Sequence, residues 1–172
     1  GKVVNAFSVS PKVKKMCDHF GLEYQVTKIG FKYIAGIMLT DDVLLGGEES
    51  GGIATKGHIP ERDGIWMGLI LWEYMVKSGK TLEDLIEDIY EIVGSFKFER
   101  IDMHLKEEDK LAIVANCENG SYQSFGDLEV RRIENIDGFK YHFDNDEWVM
   151  IRASGTEPVL RTYAEAATNE EA

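Results

Sequence analysis

Four short stretches of this 172-residue chain carry side chains whose types and spacing could do chemistry. The first is Arg152-Ala153-Ser154-Gly155-Thr156-Glu157-Pro158, followed closely by Arg161. Two hydroxyls, a glycine that lets backbone N–H groups turn inward, and flanking guanidiniums form a compact set of donors for a phosphate dianion. Strand-forming residues lead in and out, so Arg152 and Arg161 can stand at adjacent strand ends beside one loop. An ordinary Ser-Gly hairpin flanked by two surface arginines fits the same residues. The second stretch is Gly46-Gly47-Glu48-Glu49-Ser50-Gly51-Gly52. Glycines around two carboxylates and a hydroxyl let the backbone approach a ligand closely. A carboxylate that accepts from neighbouring hydroxyls is a means of gripping a sugar ring. Hard-metal ligation by Glu48 and Glu49 and a solvated acidic turn are the competing readings. The loop follows an apolar strand, and ligands of open α/β sheets gather at strand ends.

The third stretch runs from Gly57 to Gly64. Asp63 is placed to cap a helix, while His58 and Arg62 face either a cleft or local acids. The fourth is Lys32, after Gly30 and Phe31; taken alone it reads as a surface lysine. His19, His104 and His142 have no partner at ligand spacing and read as structural or exposed. Cys17 and Cys117 sit in apolar contexts and read as reduced, buried thiols of a cytoplasmic protein.

The elements that must position these groups follow from periodicity and turn chemistry. Strands are expected at residues 3–8, 24–27 and 43–45, the last running into a glycine-rich loop over 46–57. Helices are expected after Ser10 and Pro11 up to Gly21, near 33–38, over 65–77 behind Asp63, and after Thr81. The 65–77 segment is apolar on nearly every side and is expected to be buried. The helix after Thr81 has an inward stripe of Leu82, Leu85, Ile86, Ile89, Ile92 and Val93. This alternation predicts a three-layer α/β domain with a mostly parallel sheet over residues 1–94. After Gly94 the pattern changes. Strands at 96–103, 128–133, 139–143, 148–151 and 160–165, with a helix at 107–116, predict a small antiparallel α+β domain over 95–172. Residues 169–172 read as the first turn of a truncated helix.

Composition narrows the partners. The net charge is −12, which argues against nucleic acid, since phosphate backbones are bound by clustered Lys and Arg. A cleft can still be locally positive on an acidic protein. The longest apolar stretch, residues 65–76, is too short for a membrane span. No basic segment followed by an apolar run opens the chain, so no signal peptide is expected.

The ordered set G-F-K, G-E-E-S-G-G, H-I-P-E-R-D-G and R-A-S-G-T-E-P with a trailing Arg resembles domains three and four of the α-D-phosphohexomutases, the phosphoglucomutase/phosphomannomutase superfamily. The resemblance runs from about Val3 to Ala166. It implies a sugar-binding loop at Glu48 and Ser50, with His58 and Arg62 lining the same cleft. It implies a phosphate-binding loop at Arg152, Ser154, Gly155 and Thr156, supported by Arg161, on a domain similar to the TATA-binding-protein fold. Lys32 matches a lysine close to the transferring phosphate. The family's phosphoserine loop, T-A-S-H-N-P, and magnesium loop, D-G-D-x-D-R, are absent from these residues. The resemblance therefore implies N-terminal domains one and two as the chain's partners, with magnesium held there and hexose 1,6-bisphosphate as intermediate and activator. The implied reaction interconverts hexose 1-phosphate and hexose 6-phosphate, with this part alone inactive. A non-catalytic sugar-phosphate binding module is the alternative. Phe31 and Gly52 stand where some bacterial members carry histidine, which implies a phosphoglucomutase-like branch.

Overall fold

The computed structural model describes residues 1–154 and 158–168, and at Asn145 the backbone alone. The chain divides into two compact units, Gly1–Ser95 and Phe96–Ala172.

The first unit comprises β1 (Lys2–Ala6), α1 (Lys12–His19), β2 (Tyr24–Thr27), α2 (Phe31–Thr40), β3 (Val43–Gly47), β4 (Ile53–Thr55), α3 (Gly64–Ser78) and α4 (Leu82–Val93). The sheet order is β2-β1-β3-β4. β1 pairs in parallel with β2 and β3, and β4 returns antiparallel on β3. Val4, Ala6, Phe31, Ile34, Val43 and Ala54 form the core between the sheet and α2. Their burial sets the strand register, because a slip of one residue would turn the apolar set to the other face. A Cβ at Gly46 would lie 2.3 Å from Ile34 Cγ2. Gly46 is therefore a packing residue of β3, sized to let α2 close on the sheet. Helix starts follow the cap chemistry. The Lys12 amide donates to Ser10 Oγ at 3.1 Å, and Thr81 and Asp84 form a reciprocal capping box on α4.

Three expectations for this unit are overturned. The stripe of α4 is not uniformly inward: Val93 is buried, but Leu82, Ile86 and Ile89 are exposed, since periodicity shows which residues share a face and not what covers it. The glycine-rich segment is not a single loop over 46–57. Ile53-Ala54-Thr55 pairs with β3 as β4, buries Ala54, and leaves residues 48–52 as a tight connection. Helix α3 is not buried: it contains no buried residue, and Ile65, Trp72 and Val76 are 81%, 67% and 71% exposed. A helix apolar on every side carries no directional signal, so its composition says that it suits burial without saying against what.

The second unit comprises β5 (Lys97–His104), α5 (Glu107–Glu118), β6 (Ser124–Phe125), β7 (Leu128–Glu129), β8 (Arg132–Glu134), β9 (Phe139–His142), a single 3-10 turn (Asp144–Asp146), β10 (Trp148–Ala153) and β11 (Val159–Ala166). The antiparallel sheet has the order β5-β11-β10-β9-β8, and β6 pairs with β7 separately. Cys117 from α5 packs with Tyr141, Ile151 and Leu160 from the sheet. The strand expected over 128–133 is split between two sheets. The Val130 amide donates to Gln123 O at 2.9 Å, while the next amide, Arg131, donates to His142 O at 2.8 Å. Adjacent amides of a strand point to opposite sides, and here each side has a different partner. The helix expected over 169–172 lies outside the described residues.

Cys17 and Cys117 are both free and buried, and burial pushes each thiol pKa up. Among the described residues no helix is long and apolar enough to cross a membrane.

Candidate functional site

In the second unit the strand register sets side by side the two arginines expected to flank a phosphate loop. Arg152 on β10 lies directly opposite Arg161 on β11. Directly opposed residues of an antiparallel pair project from the same face. The row continues to Asp102 on β5, opposite Arg161, with Arg161 Nε 3.5 Å from Asp102 Oδ2. The Arg100 guanidinium holds the Asp102 carboxyl below its ordinary range, with a smaller contribution from Arg161. Arg152 is fixed from the other side: its Nε and Nη2 donate to the Asp137 carboxylate at 3.1 and 3.5 Å. Asp137 reaches this position because the turn after it passes tightly under β10. Gly138 has φ 93°, and a Cβ there would meet Ile151 O at 2.7 Å. Asp137, Gly138, Ile151 and Arg152 line a recess of about 180 Å³ floored by Cys117 and Val114. The Arg152 and Arg161 side chains are only 21% and 28% exposed. A sheltered guanidinium interacts more strongly with an anion than one in bulk water. Ser154 is buried, and its amide donates to Val159 O at 2.9 Å, closing the strand end. Gly155 and Thr156 lie outside the described residues.

In the first unit the connection 48–52 is closed by two backbone hydrogen bonds, Glu48 N to Gly52 O at 3.0 Å and Gly51 N to Glu48 O at 3.1 Å. Its two carboxylates have separate partners. Glu49 accepts from Ser8 Oγ, a fully buried hydroxyl just beyond β1, which ties the connection to the sheet. Glu48, with its side chain only 9% exposed, accepts from Arg62 Nη1 at 3.1 Å. The Arg62 guanidinium also lies 5.2 Å from the centre of the Phe31 ring, and its Nε donates to Glu61 at 3.2 Å. Ser50 is exposed at the tip of the turn.

The structure thus brings Glu48 and Arg62 together, and sets Arg152 and Arg161 side by side. It places His58 elsewhere: the ring Nε2 is 2.8 Å from Asp63 Oδ2 and stacks on Trp66 at 4.7 Å. That contact helps hold the cap of α3, where Asp63 also accepts from the Ile65 and Trp66 amides. The Trp66 amide, followed by His58, holds the Asp63 carboxyl below its ordinary range. Lys32 is exposed in the first turn of α2, with Nζ 5.0 Å above the Tyr33 ring. Two participants were missed. Asp137 carried only a turn signal, since nothing local shows that β9 returns beside Arg152. Ser8 read as an ordinary strand residue, and only the sheet topology sets it beside the connection.

A hard cation needs several convergent oxygen ligands. Glu48 faces a guanidinium and Glu49 a hydroxyl donor. Among the described residues no group of three or more His, Cys, Asp or Glu is placed to hold a metal. The two carboxylates of the 48–52 connection thus face separate donors rather than one another, a set that does not fit magnesium.

Comparison with known proteins agrees with this architecture. A sequence profile for the phosphoglucomutase/phosphomannomutase alpha/beta/alpha domain III matches residues 1–93, and one for the C-terminal domain of the same family matches residues 104–172. A phosphoglucomutase/phosphomannomutase of Thermococcus kodakarensis is 33% identical over 172 residues, covering 100% of this chain and 35% of that protein. A phosphoglucosamine mutase of Lachnospira eligens is 29% identical over 170 residues, covering 99% of this chain and 34% of its own length. A solved structure from Thermus thermophilus, assigned to the phosphomannomutases, superimposes with a TM-score of 0.79 at 28% identity over 99% of this chain and 33% of that one. The chain spans about a third of the length of these relatives. Two profiles of one family, matched in order over nearly the whole sequence, show that the chain belongs to the phosphoglucomutase/phosphomannomutase family.

Proposed function

We propose that this chain supplies the substrate-recognising part of a phosphohexomutase that interconverts hexose 1-phosphate and hexose 6-phosphate. The observation that carries the reading is the cross-strand pair Arg152 and Arg161, sheltered on one face near the strand end at Ser154. Such a pair has the charge and planar donor geometry for a phosphate. In this reading Arg152, Ser154, Gly155 and Thr156 hold the non-reacting phosphate, with Arg161 in support. Glu48, Ser50 and Arg62 hold sugar hydroxyls, His58 acts through the Asp63 cap, and Lys32 serves the transferring phosphate.

Phosphoryl transfer depends mainly on positioning and on neutralising charge, and these residues provide the positioning. The phosphoserine and magnesium belong to N-terminal domains of the parent enzyme, and a hexose 1,6-bisphosphate is the intermediate. Magnesium would supply charge stabilisation at the transferring group; the residues of this chain bind and orient. The relatives include enzymes named for glucose, mannose and glucosamine phosphates, so the class of substrate is an aldohexose phosphate.

The test compares the 172-residue chain with a parent polypeptide of the relatives' length in a coupled mutase assay. Turnover by the parent and none by the chain is the expected result. A parent without turnover that still binds glucose 1-phosphate would replace the enzyme with a sugar-phosphate binding module.

A further inference from the structure

Two like charges stand directly opposite one another at Arg152 and Arg161, an arrangement that by itself destabilises a strand pair. Each guanidinium is met from its outer side by an aspartate. Asp137 reaches Arg152 from the turn before β9, and Asp102 reaches Arg161 from β5. The row therefore runs Asp137, Arg152, Arg161, Asp102, with the positive charges inside and the negative ones outside. Both aspartates are themselves fixed. Asp102 accepts from Arg100 Nε and Nη2, each at 2.8 Å, and Asp137 is set by the close passage of Gly138 under Ile151. Both arginines are approached through Nε, Arg152 at 3.1 Å and Arg161 at 3.5 Å. A guanidinium is a planar fork with a side edge, Nε with Nη2, and an end edge, Nη1 with Nη2. Asp137 takes the side edge of Arg152, at 3.1 and 3.5 Å, which leaves the end edge turned away from it. A carboxylate beside an anion site repels the ligand, so its place there calls for an offsetting effect. Holding the fork still is such an effect, because a long side chain that must be ordered on binding costs affinity and one already held does not.

We propose that Asp137 is a positioning residue for phosphate: it grips Arg152 by the side edge, so that phosphate is received end-on by Nη1 and Nη2. Asp102 plays the same part, more weakly, for Arg161. The site is then set before the ligand arrives, and the aspartate stays in place when it does. In the opposite arrangement Asp137 would be a competitor that phosphate displaces from the same edge, and its removal would tighten binding. This inference rests on the reading of Arg152 as a phosphate ligand.

The test is made on the 172-residue chain with inorganic phosphate as the probe. In isotope-labelled protein the Nε–H resonance of Arg152, assigned by its disappearance in Arg152→Lys, should resist exchange with water. It should hold its position as phosphate is added, while the Nη resonances of Arg152 move. In Asp137→Ala phosphate should bind roughly twofold to tenfold more weakly, the range for ordering one long side chain. The Nε–H resonance of that variant should be lost to exchange before phosphate is added. Asp137→Asn keeps an oxygen acceptor for Nε and should recover most of the affinity. Tighter or unchanged binding by Asp137→Ala would overturn the proposal, as would an Nε–H resonance that moves with phosphate as far as the Nη resonances do. Should Asp137→Ala not fold, the titration of the unaltered chain decides, since it needs no variant. Arg152→Ala separates the two levels. If it binds phosphate as well as the unaltered chain does, the reading of Arg152 as a phosphate ligand fails; if it loses binding while Asp137→Ala keeps it, only the present inference fails.

Discussion

Replacing Gly138 by alanine tests the geometry around Arg152 most directly. The residue has φ 93°, and the added methyl would meet Ile151 O at 2.7 Å, Arg152 Cβ at 3.0 Å and Arg152 Cα at 3.3 Å. A non-glycine residue held at such a φ costs about 1–3 kcal/mol. The obstructing atoms are backbone and Cβ atoms of a central strand, so they cannot swing aside as the end of a side chain would. Forcing them apart adds a cost typical of overpacking, about 1–3 kcal/mol. Gly120 is an internal control. Its φ is 66°, yet nothing lies within 4 Å of its Cβ position, so Gly120→Ala carries only the strain of the left-handed region, about 1 kcal/mol. For a unit of this size each kcal/mol lowers the midpoint by roughly 4–8 °C, so a 3 kcal/mol cost for Gly138→Ala predicts a fall of roughly 12–24 °C, against roughly 4–8 °C for Gly120→Ala. Scanning calorimetry of the 172-residue chain measures both. The Gly138 variant should also bind inorganic phosphate more weakly, because β9 can no longer bring Asp137 against Arg152. Equal midpoints for the two variants would refute the close approach, and with it the account of how Arg152 is held.

Three further outcomes are expected. Arg152→Ala should weaken inorganic phosphate binding to the chain by roughly tenfold to a hundredfold in calorimetric titration, and Arg152→Lys should recover only part of it, since an ammonium lacks the planar fork; unchanged binding would remove Arg152 from the phosphate site. His142 is 9% exposed, and burial, then Arg132 and Lys140, pushes its pKa down to about 4, outweighing the Glu134 carboxylate 3.7 Å away. The unfolded chain binds this proton more readily, so stability is full above about pH 6.5 and falls by about 3 kcal/mol as pH drops to about 4; denaturant melts in which His142→Gln keeps the same slope across that window would contradict it. Trp72→Glu on α3 should change stability by no more than about 0.5 kcal/mol, as for an exposed site, whereas a loss of about 3–5 kcal/mol, the cost at a buried one, would restore the expectation of a buried helix.

Local chemistry made much of the fold legible. Strand β2 was read at its observed limits, and Asp63 and Thr81 were each recognised as starting a helix, because caps and periodicity act over a few residues; α1 begins one residue later than expected, with Pro11 in place of Ser10 at its N-cap. Strand β4 was hidden because Ile53-Ala54-Thr55 is short and enclosed by glycines, so its pairing with β3 is decided by the sheet. The same limit applies to function. Glu48 and Arg152 stood out by residue type, but the groups that orient them did not. Arg62 comes to Glu48 from fourteen residues away and Asp137 to Arg152 from fifteen. Those separations become contacts only once β4 and β9 have turned back.

The position of β11 has a consequence for synthesis. It is the last strand in sequence among the described residues, yet it lies between β5 and β10 in the sheet, with Ala166 paired to Lys97 and Val159 to His104. As the chain leaves the ribosome, β5 emerges first and has no neighbour until residues 159–166 follow. The closure must be made over nearly the whole length of the unit, and its entropy is lost before any pairing compensates. During that interval the eight-residue β5 is an open edge able to accept a strand from another nascent chain. Stalled or truncated products should therefore carry a complete first unit joined to a second that cannot close, and aggregation should begin at β5.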